Sequence, residues 1–221
     1  MHAATLVSTV FLIAVIVGIS TSEGQDTNVS VSIASGWNVL ANPLSTGTNG
    51  AGEVIKPLDS EEILTWDGQH LSTVQYDSGL GGWLDLSLNR SVAPILPPGK
   101  GFAFFNPGPA TTLTFTGRQV PAAGTTNSLA LPTGWSLLGS PLPATVTNIT
   151  SAPVSLPIID GMQILTWTGT GPLWSYWSYD SGFGGWVGSD FTAKSAPSYS
   201  IGQGFYLYNP GPPVTWQQSA P

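Results

Sequence analysis

The chain contains no cysteine, which excludes disulfides, thiolate metal sites and cysteine nucleophiles together. Charge is also scarce. Only 8% of the 221 residues are charged, and five Lys and Arg stand against twelve Asp and Glu, for a net charge of -7. Lys56, Arg90, Lys100, Arg118 and Lys194 are scattered along the chain. Such a balance repels a phosphate backbone and offers no polybasic patch to an anionic membrane, so nucleic acid is excluded as a partner. Histidine is reduced to His2 and His70. A hydrolase built on a nucleophile and an imidazole base therefore has one histidine to draw on outside the N-terminal segment, and neither a G-x-S-x-G elbow nor an H-E-x-x-H metal motif is present.

What the chain has in abundance is Gly (27), Pro (19), hydroxyl residues and aromatics, with nine Trp, eight Phe and six Tyr. Frequent turns and hydroxyl-rich faces suit an extracellular β protein. The aromatic content supplies far more apolar surface than a disordered chain carries. Without disulfides, such a protein is held by packing alone.

Residues 3 to 20 form an uncharged apolar run, followed by small residues at Gly18, Ser20, Ser22 and Gly24. Residues 1–24 read as a signal peptide with cleavage between about Ser20 and Asp26. The n-region lacks Lys and Arg, so an uncleaved anchor is the rival reading, although about 18 apolar residues is the short limit for a span. Export to the cell surface or the extracellular space is expected, with no stable membrane insertion after cleavage.

The strongest signal is internal repetition. Gly36-Trp37-Asn38-Val39-Leu40-Ala41-Asn42-Pro43-Leu44 recurs as Gly134-Trp135-Ser136-Leu137-Leu138-Gly139-Ser140-Pro141-Leu142. Ile63-Leu64-Thr65-Trp66 recurs as Ile164-Leu165-Thr166-Trp167. Tyr76-Asp77-Ser78-Gly79-Leu80-Gly81-Gly82-Trp83 recurs as Tyr179-Asp180-Ser181-Gly182-Phe183-Gly184-Gly185-Trp186. Gly99-x-Gly101-Phe102 with Asn106-Pro107-Gly108-Pro109 recurs as Gly202-x-Gly204-Phe205 with Asn209-Pro210-Gly211-Pro212. Four blocks in one order define two tandem units, residues 28–121 and 126–221, joined through a Pro/Ala/Gly/Thr linker at Gln119–Asn127.

Short runs rich in β-branched and aromatic residues, bounded by Gly, Pro, Asn and Ser, predict strands. In the first unit they fall near Ser30–Ile33, Trp37–Ala41, Glu62–Trp66, Leu71–Tyr76, Gly101–Phe105 and Thr112–Phe115. Their counterparts fall near Ser128–Leu131, Trp135–Gly139, Gln163–Trp167, Trp174–Tyr179, Gly204–Tyr208 and Val214–Trp216. A single helical turn is expected at Val54–Leu58. The fold class is all-β: two homologous units forming antiparallel sheets or a β-sandwich.

These blocks resemble a set of exported bacterial proteins of uncharacterised function that carry a signal peptide and two tandem copies of such a unit. The likeness runs from Gly36 to Trp216, and departs where Ile201-Gly202 stands in place of Pro98-Gly99. The resemblance implies a surface or secreted location and an autonomous double unit. It brings no activity, cofactor or catalytic residue.

Candidate chemistry is sparse. Glu61, Glu62, Asp67, Asp77 and Asp85 could furnish a glycosidase pair in the first unit, but of these only Asp77 persists in the second, as Asp180. Asp77 and Asp180 read as turn-capping residues, with calcium ligation as the rival role. No cofactor, metal or catalytic residue is expected. In the Tyr-Asp-Ser-Gly-x-Gly-Gly-Trp loops, Tyr76, Asp77 and Trp83 with Tyr179, Asp180 and Trp186 read as structural clamps with both Trp buried. Trp37/Trp135 and Trp66/Trp167, being duplicated, are expected in the core as well. Trp174, Tyr176 and Trp177, which the first unit lacks, are the candidate ligand or interface residues, with period two placing Trp174 and Tyr176 on one face and Trp177 on the other. The function expected is a non-enzymatic structural or interaction protein that self-associates through exposed strand edges. The alternative is a carbohydrate-binding module using exposed Trp and Tyr on a surface polysaccharide, and the third reading is a hydrolase confined to the first unit.

Overall fold

The structure, a computed structural model, describes residues 26–142, 144–169 and 174–220. The leader and Leu173 lie outside them. The described chain is nearly all β. In order it runs β1 (Thr27–Ile33), β2 (Gly36–Ala41), β3 (Leu44–Ser45), α1 (Ala51–Val54), β4 (Glu62–Trp66), β5 (Leu71–Asp77), β6 (Gly82–Leu84), β7 (Gly101–Asn106) and β8 (Thr111–Gln119). It continues as β9 (Thr126–Leu131), β10 (Gly134–Gly139), β11 (Gln163–Trp167), β12 (Trp174–Asp180), β13 (Gly185–Val187), β14 (Gly204–Asn209) and β15 (Val214–Ser219).

The helical turn, at Ala51–Val54, starts three residues earlier than the expected Val54–Leu58. Ile55 is already extended, so the turn ends at Val54, and Pro57 keeps Lys56 out of the helical region as well. Three short strands, β3, β6 and β13, carry too few residues to show a pattern of their own. The linker is shorter than Gln119–Asn127, because β8 runs through Gln119 and β9 begins at Thr126.

Two five-stranded antiparallel sheets share one strand order: β2-β7-β4-β5-β6 and β10-β14-β11-β12-β13. Each is covered on one face by a smaller sheet, β1-β8-β3 in the first half and β9-β15 in the second. Strand alternation sends Leu40, Ile63, Val74, Phe102 and Phe104 inward, where they meet Val29, Ile33, Leu113 and Phe115 of the small sheet. Phe102 and Phe115 pack edge to face at 6.4 Å. In the second half Leu138, Ile164, Phe205 and Leu207 meet Leu131 and Trp216, and Phe205 and Trp216 stand 6.2 Å apart. Each half is thus a small sandwich with its own core.

The repeated Asn-Pro-Gly-Pro block has a physical reason. Asn106 donates its amide to the carbonyls of Ala34 and Pro109 and accepts the Gly108 N–H. Asn209 does the same with Leu131, Pro212 and Gly211. One buried amide in each half ties the turn after β7 or β14 to the end of the neighbouring small sheet.

The halves meet through reciprocal contacts. Ala41 N–H donates to the Gly202 carbonyl at 2.8 Å, and Gly139 N–H donates to the Gly99 carbonyl at 3.0 Å. Leu40 bridges to Gln203 as Lys100 bridges to Leu138. These are corresponding positions of the two repeats, so the junction is isologous, as in a two-fold dimer folded into one chain. It explains the Gly-x-Gly pairs. A Cβ on Gly101 would come within 2.8 Å of the Leu138 carbonyl oxygen, and one on Gly204 would collide with the Leu40 carbonyl. Val39, Ala41 and Leu137, on the faces turned away from the two cores, are buried at this seam.

Candidate functional site

The outer face of the second large sheet is aromatic. The register pairs Trp135 with Tyr208, Leu165 with both Tyr206 and Tyr176, and Trp167 with Trp174. Trp135 and Tyr208 have ring centroids 5.2 Å apart. Trp174 meets Trp167 at 4.8 Å and Tyr206 at 5.5 Å, edge to face in both cases. Burial raises the Tyr206 hydroxyl above its ordinary pKa, so that phenol stays neutral. Trp174 is 36% exposed. The rings interlock at steep angles and form no coplanar row.

Trp174, Tyr176 and Trp177 do not act together. Trp174 and Tyr176 share the outer face, whereas Trp177 points to the core, where it packs against the buried cluster of the second half beneath the Lys194 ammonium, 5.2 Å from its ring. The alternation of a strand separates them.

Trp37 and Trp135 correct the expectation that duplicated Trp is core. They are 38% and 37% exposed, each at the second position of its strand on the outer face, where Trp37 packs on Phe105 at 5.3 Å. Repetition preserved their place on a face, and the face is the outer one. Trp66 and Trp167 are half-buried beside the seam and belong to neither core. The Trp66 indole N–H donates across it to the Trp135 carbonyl at 3.1 Å.

Trp83 and Trp186 are 7% and 6% exposed, each packed edge-on by the Tyr that opens its loop, Tyr76 at 5.3 Å and Tyr179 at 5.5 Å. Asp77 accepts the Leu80 N–H, and Asp180 accepts the N–H groups of Gly182 and Phe183. A second pair of carboxylates escaped the sequence reading. Asp59 accepts the Ser78 N–H at 2.6 Å and its hydroxyl at 2.9 Å, and Asp160 accepts the Ser181 N–H at 2.6 Å. The signal was the same 101-residue offset that relates Trp66 to Trp167. Each loop serine is thus held by an Asp from the loop ahead of β4 or β11.

The carboxylates are committed to turns. Asp67 is held below its ordinary pKa mainly by the His70 N–H, Asp85 by the Asn89 N–H, Asp160 by the Ser181 N–H and Asp190 by the Thr192 hydroxyl. All four are anions at neutral pH, unsuited to general-acid work there. Glu61 is the exception: burial raises its pKa, against a hydrogen bond from the Leu58 N–H. It lines a cleft of about 440 Å³ with Lys56 and Thr112. Met162 takes its place in the second half. Among the described residues no three His, Cys, Asp or Glu gather as a metal site, and no helix is long and apolar enough to cross a membrane.

The outer edges of the large sheets are covered. Leu84 bridges to Arg90 and Val187 to Ala193, and Ser91 and Lys194 donate their N–H groups to the carbonyls of Trp83 and Trp186. The opposite edges, β2 and β10, face the seam. Strand addition at the large sheets, the route expected for self-association, therefore meets loops in place of open backbone.

Fold and outer face together define an all-β protein of two antiparallel sandwiches with an aromatic surface on one of them. No protein-family model, curated protein or solved structure matches the chain.

Proposed function

We propose that the chain is an exported, non-catalytic interaction protein whose contact surface is the aromatic outer face of the second half. The observation that carries this reading is a difference between corresponding positions. Where the second half has Trp174, Tyr176 and Tyr206, the first has Leu71, Thr73 and Ala103, and both build the same sheet. The fold does not require these aromatics. Trp and Tyr supply large contact area at low entropic cost, with a polar tip for a wet interface. The capped edges of the large sheets make strand-by-strand self-assembly the weaker reading. The steep ring angles favour a partner that contacts single rings over a flat crystalline polysaccharide.

The test is adsorption of the purified protein to cell envelopes and to a panel of insoluble polysaccharides, with Trp174→Ala and Tyr176→Ala alongside. Loss of adsorption by tenfold or more at unchanged folding supports the reading. Adsorption equal to that of the parent sinks it.

A further inference from the structure

The two halves carry related clefts at the seam, and the differences between them are chemical. One, of about 270 Å³, is lined by Trp66, Asp67, Pro97 and Lys100. The other, of about 320 Å³, has Trp167, Thr168, Ser200 and Gln203 at the corresponding positions, and is closed from the first half by Ser32 and Val39. An acid, a base and a proline are replaced by a hydroxyl, an amide and a second hydroxyl. Among the described residues no charged side chain lines the second cleft.

The indoles differ in the same sense. Trp66 spends its N–H on the Trp135 carbonyl across the seam. The isologous junction calls for the reciprocal bond from Trp167 to the backbone of Trp37. It is not made: the Trp167 N–H is buried and has no hydrogen-bond partner among the described residues. A buried donor left unpaired is destabilising, and native proteins keep few of them. Trp167 instead packs on Trp174, which in turn meets Tyr206, so one ring links the cleft to the aromatic face.

We infer that this cleft is a binding site for a neutral hydroxylated ring, a sugar residue, whose oxygen accepts the Trp167 N–H while neighbouring residues of the same chain continue over Trp174. The volume suits a pyranose with water. An indole beside hydroxyl and amide groups matches the mixed apolar and polar surface of a sugar. The absence of a lining cation argues against uronic acids or other anionic ligands. The inference rests on the reading of the aromatic face as a contact surface and names its ligand class.

The experiment is binding of the full chain to an array of neutral hexose and N-acetylhexosamine oligosaccharides, with a uronic acid series beside them. Trp167→Phe keeps a ring and deletes the donor. It should lose tenfold or more in affinity for the neutral ligand with no fall in Tm. Trp66→Phe should lower Tm through the lost seam bond and bind as the parent does. Should Trp167→Phe bind normally while Trp174→Ala does not, the cleft is overturned and the face survives. If adsorption depends on Trp174 but no neutral glycan binds, or only uronic acids do, the ligand class is overturned. If Trp174→Ala also binds normally, the reading of the face falls with it.

Discussion

The outer faces of the two large sheets have the same strands in the same order and opposite characters. On the first, Leu71 and Thr73 make an ordinary mixed surface beside a buried Ala103. On the second, Trp174 interlocks with Trp167 and Tyr206, and Tyr176 lies on the same face. Inward, the halves are alike in kind, with two cores, two Asn-Pro-Gly-Pro ties and two Trp-anchored loops. What differs is what the fold leaves free. An element duplicated in sequence and in place reports the demands of folding, and an element that departs at an accommodated position reports something else.

The sharpest way to break that distinction is at the loop anchors. Trp83→Ala and Trp186→Ala should each destabilise by about 3–5 kcal/mol, since both remove a buried indole and leave a cavity. Chemical denaturation reads this, and a small effect at either would mean that the duplicated loops are not structural. Next in size is the seam. Gly204→Ala and Gly101→Ala push a methyl into the backbone of the other half and should cost about 2–3 kcal/mol. Gly52→Ala, in the helical turn with open space around its added Cβ, should be neutral or mildly stabilising by up to about 1 kcal/mol. Equal effects at all three would mean that the halves do not dock this closely.

Smaller still is conversion of one face into the other. Trp174→Leu with Tyr176→Thr gives the second half the residues of the first, and should change stability by no more than about 1 kcal/mol, the worth of the aromatic pairs lost. A larger loss would show that these rings are packing elements.

The smallest difference is one of pH. Asp160 is held below its ordinary value of 3.8, so its contribution is present above that value and is lost as pH falls through the folded pKa. Glu61, raised above 4.5 by burial, has the opposite sign: the stability it favours is present below that value and is lost as pH rises through the folded pKa. Melting curves from pH 3 to 7 should show Asp160→Asn converging on the parent at the acid end. Glu61→Gln, which keeps an acceptor for the Leu58 N–H, should melt above the parent near pH 7 and lose that advantage in acid. Parallel curves for either variant would contradict the assignment.

Much of the fold was legible. Gly and Pro positions bounded the strands, and alternation in Trp174-Ser175-Tyr176-Trp177 gave the correct split between faces. The burial of Trp83 and Trp186 followed from the cost of ordering a glycine-rich loop without an anchor. Trp37 and Trp135 were misread because identity at equal positions says that two residues share a place in the fold, not which side of the sheet that place is on. Asp59 and Asp160 were missed because they reach their loops from another part of the chain, across 19 and 21 residues, where no local pattern records them.

By itself the sequence determined the all-β class, the longer strand segments and the split of Trp174, Tyr176 and Trp177 between two faces, because backbone propensity, turn chemistry and a period of two are local properties written residue by residue. The tertiary structure alone decided that the halves dock through Gly101 and Gly204, that the edges of the large sheets are covered, and that Trp66 is satisfied while Trp167 is not. Those facts depend on which distant backbones come within a few ångströms of each other, and a repeat that specifies each half almost equally does not encode how the second meets the first.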